Sequence, residues 1–228
     1  MTRPLALWHS VDTNAAPFEG LVRQLAPEIP IIHRTRADLL AAAQPAGLTP
    51  AVRRAVAEDI LAVADDGAAV VLCTCSTLGP GAESAAELTD ATVLRVDRPM
   101  LEQALEHGPR IAVCAALAST IGPTRDLLLR VARERGVAAE LREITVEDAF
   151  PLFQAGDRAG YARKIAQAVR NAAGGVDAVV LAQASMAGAI DLLADLSVPV
   201  LASPRLGAEA AVAAWRQVQA QVPARAAG

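Results

Sequence analysis

The most constraining feature of the sequence is the alternation of short apolar runs with longer amphipathic stretches along almost its whole length. The apolar runs are rich in Val, Ile and Leu, as buried strands are, and the stretches between them have the periodicity of helices. This alternation is typical of a parallel sheet with helices on both faces. The predicted strands cover residues 5–9, 29–33, 69–74, 92–96, 110–115, 138–143, 177–183 and 198–202.

The predicted helices divide the chain into two halves of similar plan. They are bounded by the Gly, Pro, Asp and Thr residues that start or stop helices. The crossover between the halves falls near residues 96–99, and residues 223–228 are expected to be loose. We therefore predict an α/β fold with two lobes and one cleft between them. The clearest helices cover residues 50–64, 98–107, 120–135, 158–172, 186–196 and 206–220.

The composition excludes several classes of function. With a formal charge of −4, a pI near 5.4, no basic run and few aromatic residues, the chain lacks the features of nucleic-acid binding. It has no apolar span of roughly 20 residues, so we expect no membrane role, and its first residues lack the pattern of a signal peptide, so we expect none. Three cysteines are an odd number, and Cys73 and Cys75 are too close for an ordinary disulfide, so we expect a reducing compartment, the cytoplasm.

Small polar side chains follow three of the predicted strands. In a parallel α/β sheet, ligands bind beyond the carboxyl ends of the strands, so these side chains are candidates for one cleft. The thiol of Cys75 is the reactive group among them, and its alternative role is that of a small buried hydrophobe. The three clusters are Cys75-Ser76-Thr77, Ser119-Thr120 and Gln183-Ala184-Ser185.

These segments resemble the aspartate/glutamate/hydantoin racemase superfamily, which also contains maleate isomerases and arylmalonate decarboxylases. The resemblance extends over nearly the whole chain. It implies two flavodoxin-like α/β lobes related by a pseudo-twofold axis, with the active site in the cleft between them. The C-terminal helix would return to the first lobe, so that residues 1–97 and 206–228 form one lobe and residues 98–205 the other. The resemblance is carried by Thr74-Cys75-Ser76-Thr77, by Ile111-Ala112-Val113 leading to Ala118-Ser119-Thr120, by residues 179–187 and by Ser203-Pro204.

The resemblance also implies the chemistry. Members of the family exchange the proton next to a carboxylate without a cofactor, using one cysteine from each lobe, and backbone N–H groups can lower the pKa of such a thiol. Hydroxyls near both cysteines hold the carboxylate and the enediolate that forms. Here Cys75 matches the first cysteine, but Gln183 stands where the second would be, and an amide cannot transfer protons. The matching hydroxyls are those of Ser76, Thr77, Ser119 and Thr120.

A single cysteine in the cleft leaves several functions open. We predict a cofactor-independent isomerase of the racemase type that acts next to the carboxylate of a small acid or amino acid, with Cys75 as acid, base or nucleophile. The alternatives are a one-cysteine decarboxylase, lyase or hydrolase, and a binding protein that has kept the pocket without the chemistry. The expected partner is a small carboxylate, and a homo-oligomer is left open.

Other polar residues at strand ends are also candidates for the cleft. His9 and Ser10 end the first predicted strand and are expected to contact the substrate. His9 and His33 are each a candidate for the missing acid or base. The alternative for each is a hydrogen-bonded residue in the wall of the cleft. Arg34 or Arg36 either binds a distal carboxylate of the substrate or lies on the surface.

The second lobe and the remaining cysteines complete the set of candidates. Ser185 is expected to contact the substrate from the second lobe. Cys114 lies inside a predicted strand and is expected in the core. Cys73 and Cys75 have no second Cys/His cluster at ligand spacing, so we expect no metal.

Overall fold

The computed structural model describes residues 2–221 and contains two parallel sheets of four strands each. The strand order is β2-β1-β3-β4 in the first sheet and β6-β5-β7-β8 in the second, so the two halves repeat one topology. This confirms the predicted α/β fold with two lobes. The strands are β1 (Leu5–His9), β2 (Ile31–Thr35), β3 (Val70–Cys73), β4 (Thr92–Arg95), β5 (Arg110–Ala115), β6 (Glu140–Thr145), β7 (Ala178–Leu181) and β8 (Val200–Ala202).

Nine α-helices lie within the described residues, and they connect and flank the strands. The predicted helix over residues 186–196 is wrong, because the chain there forms two short 3-10 helices, Ala184–Ala189 and Asp191–Leu193. Gly188 disfavours an α-helix at this point. The α-helices are α1 (Ala15–Leu25), α2 (Ala37–Ala43), α3 (Pro50–Asp65), α4 (Gly79–Ala86), α5 (Arg98–His107), α6 (Ala118–Glu134), α7 (Phe150–Gln154), α8 (Arg158–Ala172) and α9 (Ser203–Gln221).

Each sheet is buried on both faces, which is why its central strands are almost wholly apolar. Along β1, Leu5 and Leu7 pack in the cluster that includes α1 and α9, whereas Ala6 and Trp8 pack with α2, α3 and α4 on the other face. The second sheet is covered in the same way, by α5 and α6 on one face and by α8 on the other. Successive residues of a strand point to opposite faces, so one apolar run serves two cores.

The C-terminal helix α9 packs on the first sheet, although β8, which precedes it, belongs to the second. Its buried residues Ala208, Ala211 and Val212 share a cluster with Leu5 and Leu7 of β1. The division of the chain at residues 97 and 206 stays a prediction. Residues 223–228, predicted to be loose, lie outside the described residues. Between residues 2 and 221, no helix combines the length and the apolarity needed to cross a membrane.

Candidate active site

A cavity of about 70 Å³ lies beyond the carboxyl ends of β3 and β7. Seven of the nine side chains predicted from the sequence for the site line it, and they come from both lobes. Apolar side chains complete the wall, among them Leu40, Leu117, Phe150 and Phe153. The seven predicted residues are Ser10, Cys75, Ser76, Thr77, Thr120, Gln183 and Ser185. Their contact with a substrate stays a prediction.

The thiol of Cys75 belongs to this wall and is 9% exposed. Burial raises the pKa of Cys75 above that of an ordinary thiol, although the hydroxyl of Ser10 and the backbone N–H groups of Thr77 and Leu78 face its sulfur and act in the opposite direction. The backbone N–H groups thus act in the expected direction, but desolvation outweighs them. At neutral pH the resting group is therefore the thiol.

Two hydroxyls of the first lobe differ in their partners. Thr77 is hydrogen-bonded to Thr120 of the second lobe, with 2.9 Å between the hydroxyl oxygens. The hydroxyl of Ser76 is buried and has no hydrogen-bond partner among the described residues. A buried hydroxyl without a partner is costly, so a ligand that hydrogen-bonds to Ser76 would recover that cost.

Gln183 is fixed by the backbone of the second lobe. Its side-chain oxygen accepts hydrogen bonds from the N–H groups of Ala116 at 2.6 Å and Leu117 at 3.1 Å. These two N–H groups follow the end of β5 and would otherwise be available to an anion. Because the oxygen is held, the amide NH₂ is the end of Gln183 that can donate to a ligand. The second wall therefore offers a hydrogen-bond donor where the family pattern has an acid/base.

Ser185 is the other polar group of the second wall, and it is held by a residue that the sequence analysis did not single out. The hydroxyls of Ser185 and Tyr161 lie 3.0 Å apart. Tyr161 is 1% exposed, and burial raises its pKa to about 12, so its phenol stays protonated. Tyr161 lies on α8 and has the spacing of a core residue, so no local pattern marks it as part of the site.

Two predicted site residues lie outside this cavity. Ser119 lines a separate cavity of about 410 Å³, where its hydroxyl is buried without a partner among the residues described. His9 is buried behind the wall, and its Nδ1 lies 2.8 Å from the hydroxyl of Thr74, which lines the cavity. Burial, with a smaller effect of the neighbouring His33, lowers the pKa of His9 to about 4, so the ring is neutral at pH 7.

A hydrogen-bonded chain connects His9 to the surface. Thr74 donates to the carbonyl of Trp8 at 3.2 Å, so its oxygen accepts from Nδ1 of His9. Nε2 of His9 then accepts from Nδ1 of His33 at 3.1 Å. Nε2 of His33 lies 3.2 Å from the carboxylate of Glu19, where the chain reaches the surface. His9 thus orients Thr74, and the predicted direct contact of His9 with the substrate is not part of this arrangement.

Arg34 and Arg36 are engaged elsewhere. Both donate to the buried carboxylate of Asp59, which also accepts from the indole N–H of Trp8 at 2.7 Å. Neither guanidinium lines the Cys75 cavity. Cys114 is fully buried in the core of the second lobe, as predicted. In the part of the chain that the structure describes, no three His, Cys, Asp or Glu side chains are grouped as metal ligands.

The sequence matches the family model described as Asp/Glu/Hydantoin racemase over residues 10–211. The chain belongs to this family. Its membership confirms the resemblance found in the sequence and supports an isomerase activity of the racemase type. No curated protein matches the sequence.

Solved structures with the same fold include members of this racemase family. Glutamate racemase from Thermus thermophilus, in complex with β-chloro-D-alanine, is 19% identical with a TM-score of 0.72, and the match covers 98% of this chain and 84% of that one. Aspartate racemase from Picrophilus torridus is 13% identical with a TM-score of 0.71, covering 94% of each chain. A glycine-to-cysteine variant of arylmalonate decarboxylase is 20% identical with a TM-score of 0.56, covering 93% of each. At these identities the likeness concerns the fold alone.

Proposed function

We propose that this protein is a cofactor-independent isomerase that exchanges the proton on the carbon next to a carboxylate, with Cys75 as the single thiol at that carbon. The observation that carries the proposal is the Cys75 cavity itself. It combines one thiol with hydroxyl and amide donors from both lobes. That combination suits a carboxylate whose neighbouring carbon loses and regains a proton.

The side chains divide into those that hold the carboxylate and those that move the proton. The unpartnered hydroxyl of Ser76 and the NH₂ of Gln183 are the donors available to the carboxylate. They also stabilise the enediolate that forms when the C–H electron pair moves into the carboxylate system. Cys75 takes the proton in its thiolate form, which its raised pKa makes the minor form at neutral pH, and returns the proton as the thiol. A family member with two thiols would serve both faces, whereas here Cys75 serves one.

Inversion needs a proton donor on the opposite face of the carbon. In the second wall the hydroxyl that can deliver it is that of Ser185, which is backed by Tyr161 at 3.0 Å. A serine hydroxyl is a weaker acid than a thiol, so we expect proton delivery on this face to be the slower of the two. Exchange of the proton should therefore be faster than inversion of the carbon.

The experiment is proton NMR in deuterium oxide with aspartate, glutamate, malate, maleate, hydantoins and arylmalonates. The wild type is compared with Cys75→Ala and with Cys114→Ala, which removes a thiol of the core that does not line the cavity. We expect loss of the α-proton signal that depends on Cys75 and not on Cys114. Full turnover by Cys75→Ala would overturn the assignment. Absence of exchange with every compound, together with an unreactive Cys75, would instead favour a binding protein.

A one-cysteine decarboxylase is the second candidate, and the replacement of the second cysteine by Gln183 favours it. Loss of carbon dioxide from a malonate leaves an enediolate without a base, so only one proton donor is then needed. The same NMR experiment separates the two functions, because a decarboxylase releases carbon dioxide and incorporates one deuteron. We also propose a cytoplasmic location, since all three cysteines are free and buried.

A further inference from the structure

A second cavity of about 540 Å³ adjoins the Cys75 cavity. Its walls come from α1, from the 3-10 helix after β7 and from the start of α9. This volume lies within the range of roughly 300–1,000 Å³ that small-molecule sites occupy. The two cavities share four wall residues, Asn14, Phe153, Ala184 and Ser185. A substituent on a carboxylate held at Cys75 therefore has an adjoining space to enter.

The chemistry of the second cavity is apolar and positively charged. Most of its wall is apolar, including Pro17, Leu21 and Ile190, and no Asp or Glu belongs to it. Two arginines line it. Arg205 is paired with Glu209 at 2.9 Å, whereas the guanidinium of Arg158 lies 3.7 Å from the centre of the Phe153 ring and forms no ion pair among the described residues. Arg158 is thus an exposed cation at an apolar wall.

The Cys75 cavity lacks such a cation. Its sixteen lining residues include no Arg, Lys or His. The Ser76 hydroxyl and the Gln183 NH₂ serve the first carboxylate, whereas a second carboxylate close to it, as in aspartate, would have neither of these donors nor a counterion, and burying an unpaired charge is costly. A second anionic group is accommodated better in the larger cavity, which Arg158 lines.

We propose that the larger cavity binds an apolar substituent of the substrate and that Arg158 binds an anionic group at the far end of that substituent. The substrate class is then a carboxylate with an apolar substituent that carries a distal anion. This inference rests on the proposed function, because it places the reacting carboxylate at Cys75. It adds the part of the substrate that determines specificity.

Binding of three probes to the wild type is the first test, measured by ligand-observed NMR titration with propionate, octanoate and octanedioate. We expect octanoate to bind at least tenfold more tightly than propionate, since each buried CH₂ contributes about 0.8 kcal/mol. Octanedioate should bind a further severalfold more tightly than octanoate. Equal affinities for propionate and octanoate would overturn the assignment of the cavity.

Variants then assign the two parts of the site. Arg158→Ala should remove the tighter binding of octanedioate relative to octanoate. Arg163→Ala is the control and should leave this difference in affinity intact, because Arg163 is an exposed arginine of the same helix that lines neither cavity. An unchanged advantage in Arg158→Ala would overturn the role of Arg158. Ala187→Phe fills the larger cavity and should abolish the tighter binding of octanoate relative to propionate.

A second variant protects the test against misfolding. Leu21→Trp fills the same cavity from α1. The result of Ala187→Phe or Leu21→Trp is used only if the circular dichroism spectrum of that variant matches that of the wild type. A folded variant that binds octanoate as the wild type does would overturn the proposal. Binding is measured without turnover. If octanoate and octanedioate bind as expected but no substrate exchanges its α-proton, only the proposed function is contradicted. If α-proton exchange occurs but octanoate binds no more tightly than propionate, only this inference is contradicted.

Discussion

The hydroxyls of Thr77 and Thr120 lie 2.9 Å apart and link the two lobes at the floor of the Cys75 cavity. Thr77 follows the end of β3, and Thr120 belongs to the first turn of α6, so the bond joins the polar segments of two different sheets. Both residues are buried, at 3% and 1% exposure. The bond is therefore shielded from water, and it depends on both lobes keeping their relative position.

Replacement of either threonine by valine should destabilise the protein by about 1–3 kcal/mol, because each change leaves one buried hydroxyl without a partner. The double variant Thr77→Val/Thr120→Val should cost less than the sum of the single changes, since neither hydroxyl then remains. Unfolding in urea measures the free energies. Thr145→Val, at an exposed position of β6, is the control and should change stability by at most about 0.5 kcal/mol. Strict additivity of the two changes would contradict coupling between the hydroxyls.

Alkylation of Cys75 by iodoacetamide should be slow at pH 7 and should continue to rise above pH 9. The reactive form is the thiolate, and burial raises the pKa of Cys75, so less thiolate is present at a given pH than in a free thiol. The rate constant should increase about tenfold per pH unit until the raised pKa is reached. A variant with Cys73→Ser and Cys114→Ser isolates the signal of Cys75, and glutathione is the reference. A plateau below pH 8.5 would show that the donors around the sulfur outweigh its burial.

The sequence predicts the fold well where burial on both faces produces a continuous apolar run. The bounds of β1, β5, α5 and α8 agree with the prediction residue for residue. The edge strand β2 was predicted two residues too early, because most of its residues are exposed and it carries a weak apolar signal. Helix α1 was missed, since only Phe18 and Val22 of its residues are fully buried.

The candidate site also consists of residues that could be predicted from the sequence and residues that could not. The cluster around Cys75 could be recognised because chain-adjacent residues at one strand end necessarily share a location. Phe153 lines the cavity from α7, Tyr161 contacts Ser185 from α8, and Glu19 contacts His33 from α1, so only tertiary structure brings these residues to the site. The direction of the pKa change at Cys75 was also beyond local reasoning, since it depends on how deeply the lobes bury the sulfur.

Gln183→Cys should add a thiol to the second wall and allow protons to be delivered to both faces of the carbon. The change also frees the N–H groups of Ala116 and Leu117, which then favour a thiolate at this position. We expect the ratio of inversion to exchange to rise by about 10²-fold or more, the usual contribution of a positioned acid/base. Circular dichroism follows inversion, and proton NMR in deuterium oxide follows exchange.

Gln183→Ser is the control for this prediction, since it frees the same N–H groups without adding a thiol. It should not increase inversion relative to exchange. An equal rise in both variants would mean that loss of the amide, and not the new thiol, changes the stereochemical outcome.

The ion pair of Arg95 with Asp97 should be among the most sensitive positions for stability. The two side chains are almost fully buried, with 2.7 Å between Nη2 and the carboxylate, and Arg95 also donates to the carbonyl of Pro123 in α6 at 3.3 Å. Arg95→Met leaves an unpaired buried charge and should cost about 3–5 kcal/mol in urea unfolding. The double variant Arg95→Met/Asp97→Leu should be much less destabilised. A double variant as unstable as Arg95→Met alone would contradict this account.

Asp59 should make the stability of the first lobe depend on pH in the acid range. Although burial acts to raise the pKa of Asp59, the bonds from Arg34, Trp8 and Arg36 outweigh it and lower the pKa to about 2. In the unfolded chain the pKa is about 3.9. A carboxyl whose pKa is lowered on folding stabilises the native state above the unfolded pKa, and this stabilisation is lost as the pH falls from about 4 to 2.

Asp59→Asn should therefore lower the free energy of unfolding by roughly 2 kcal/mol at pH 7, in proportion to the difference between the two pKa values. The difference in the free energy of unfolding between the variant and the wild type should decrease below pH 4 and nearly vanish at pH 2. Urea unfolding at a series of pH values measures it. Asp126→Asn, which removes an exposed carboxylate next to Arg125, should produce no comparable gap at any pH. A gap of constant size from pH 7 to pH 2 would mean that Asp59 stabilises the protein through hydrogen-bond geometry and not through its charge.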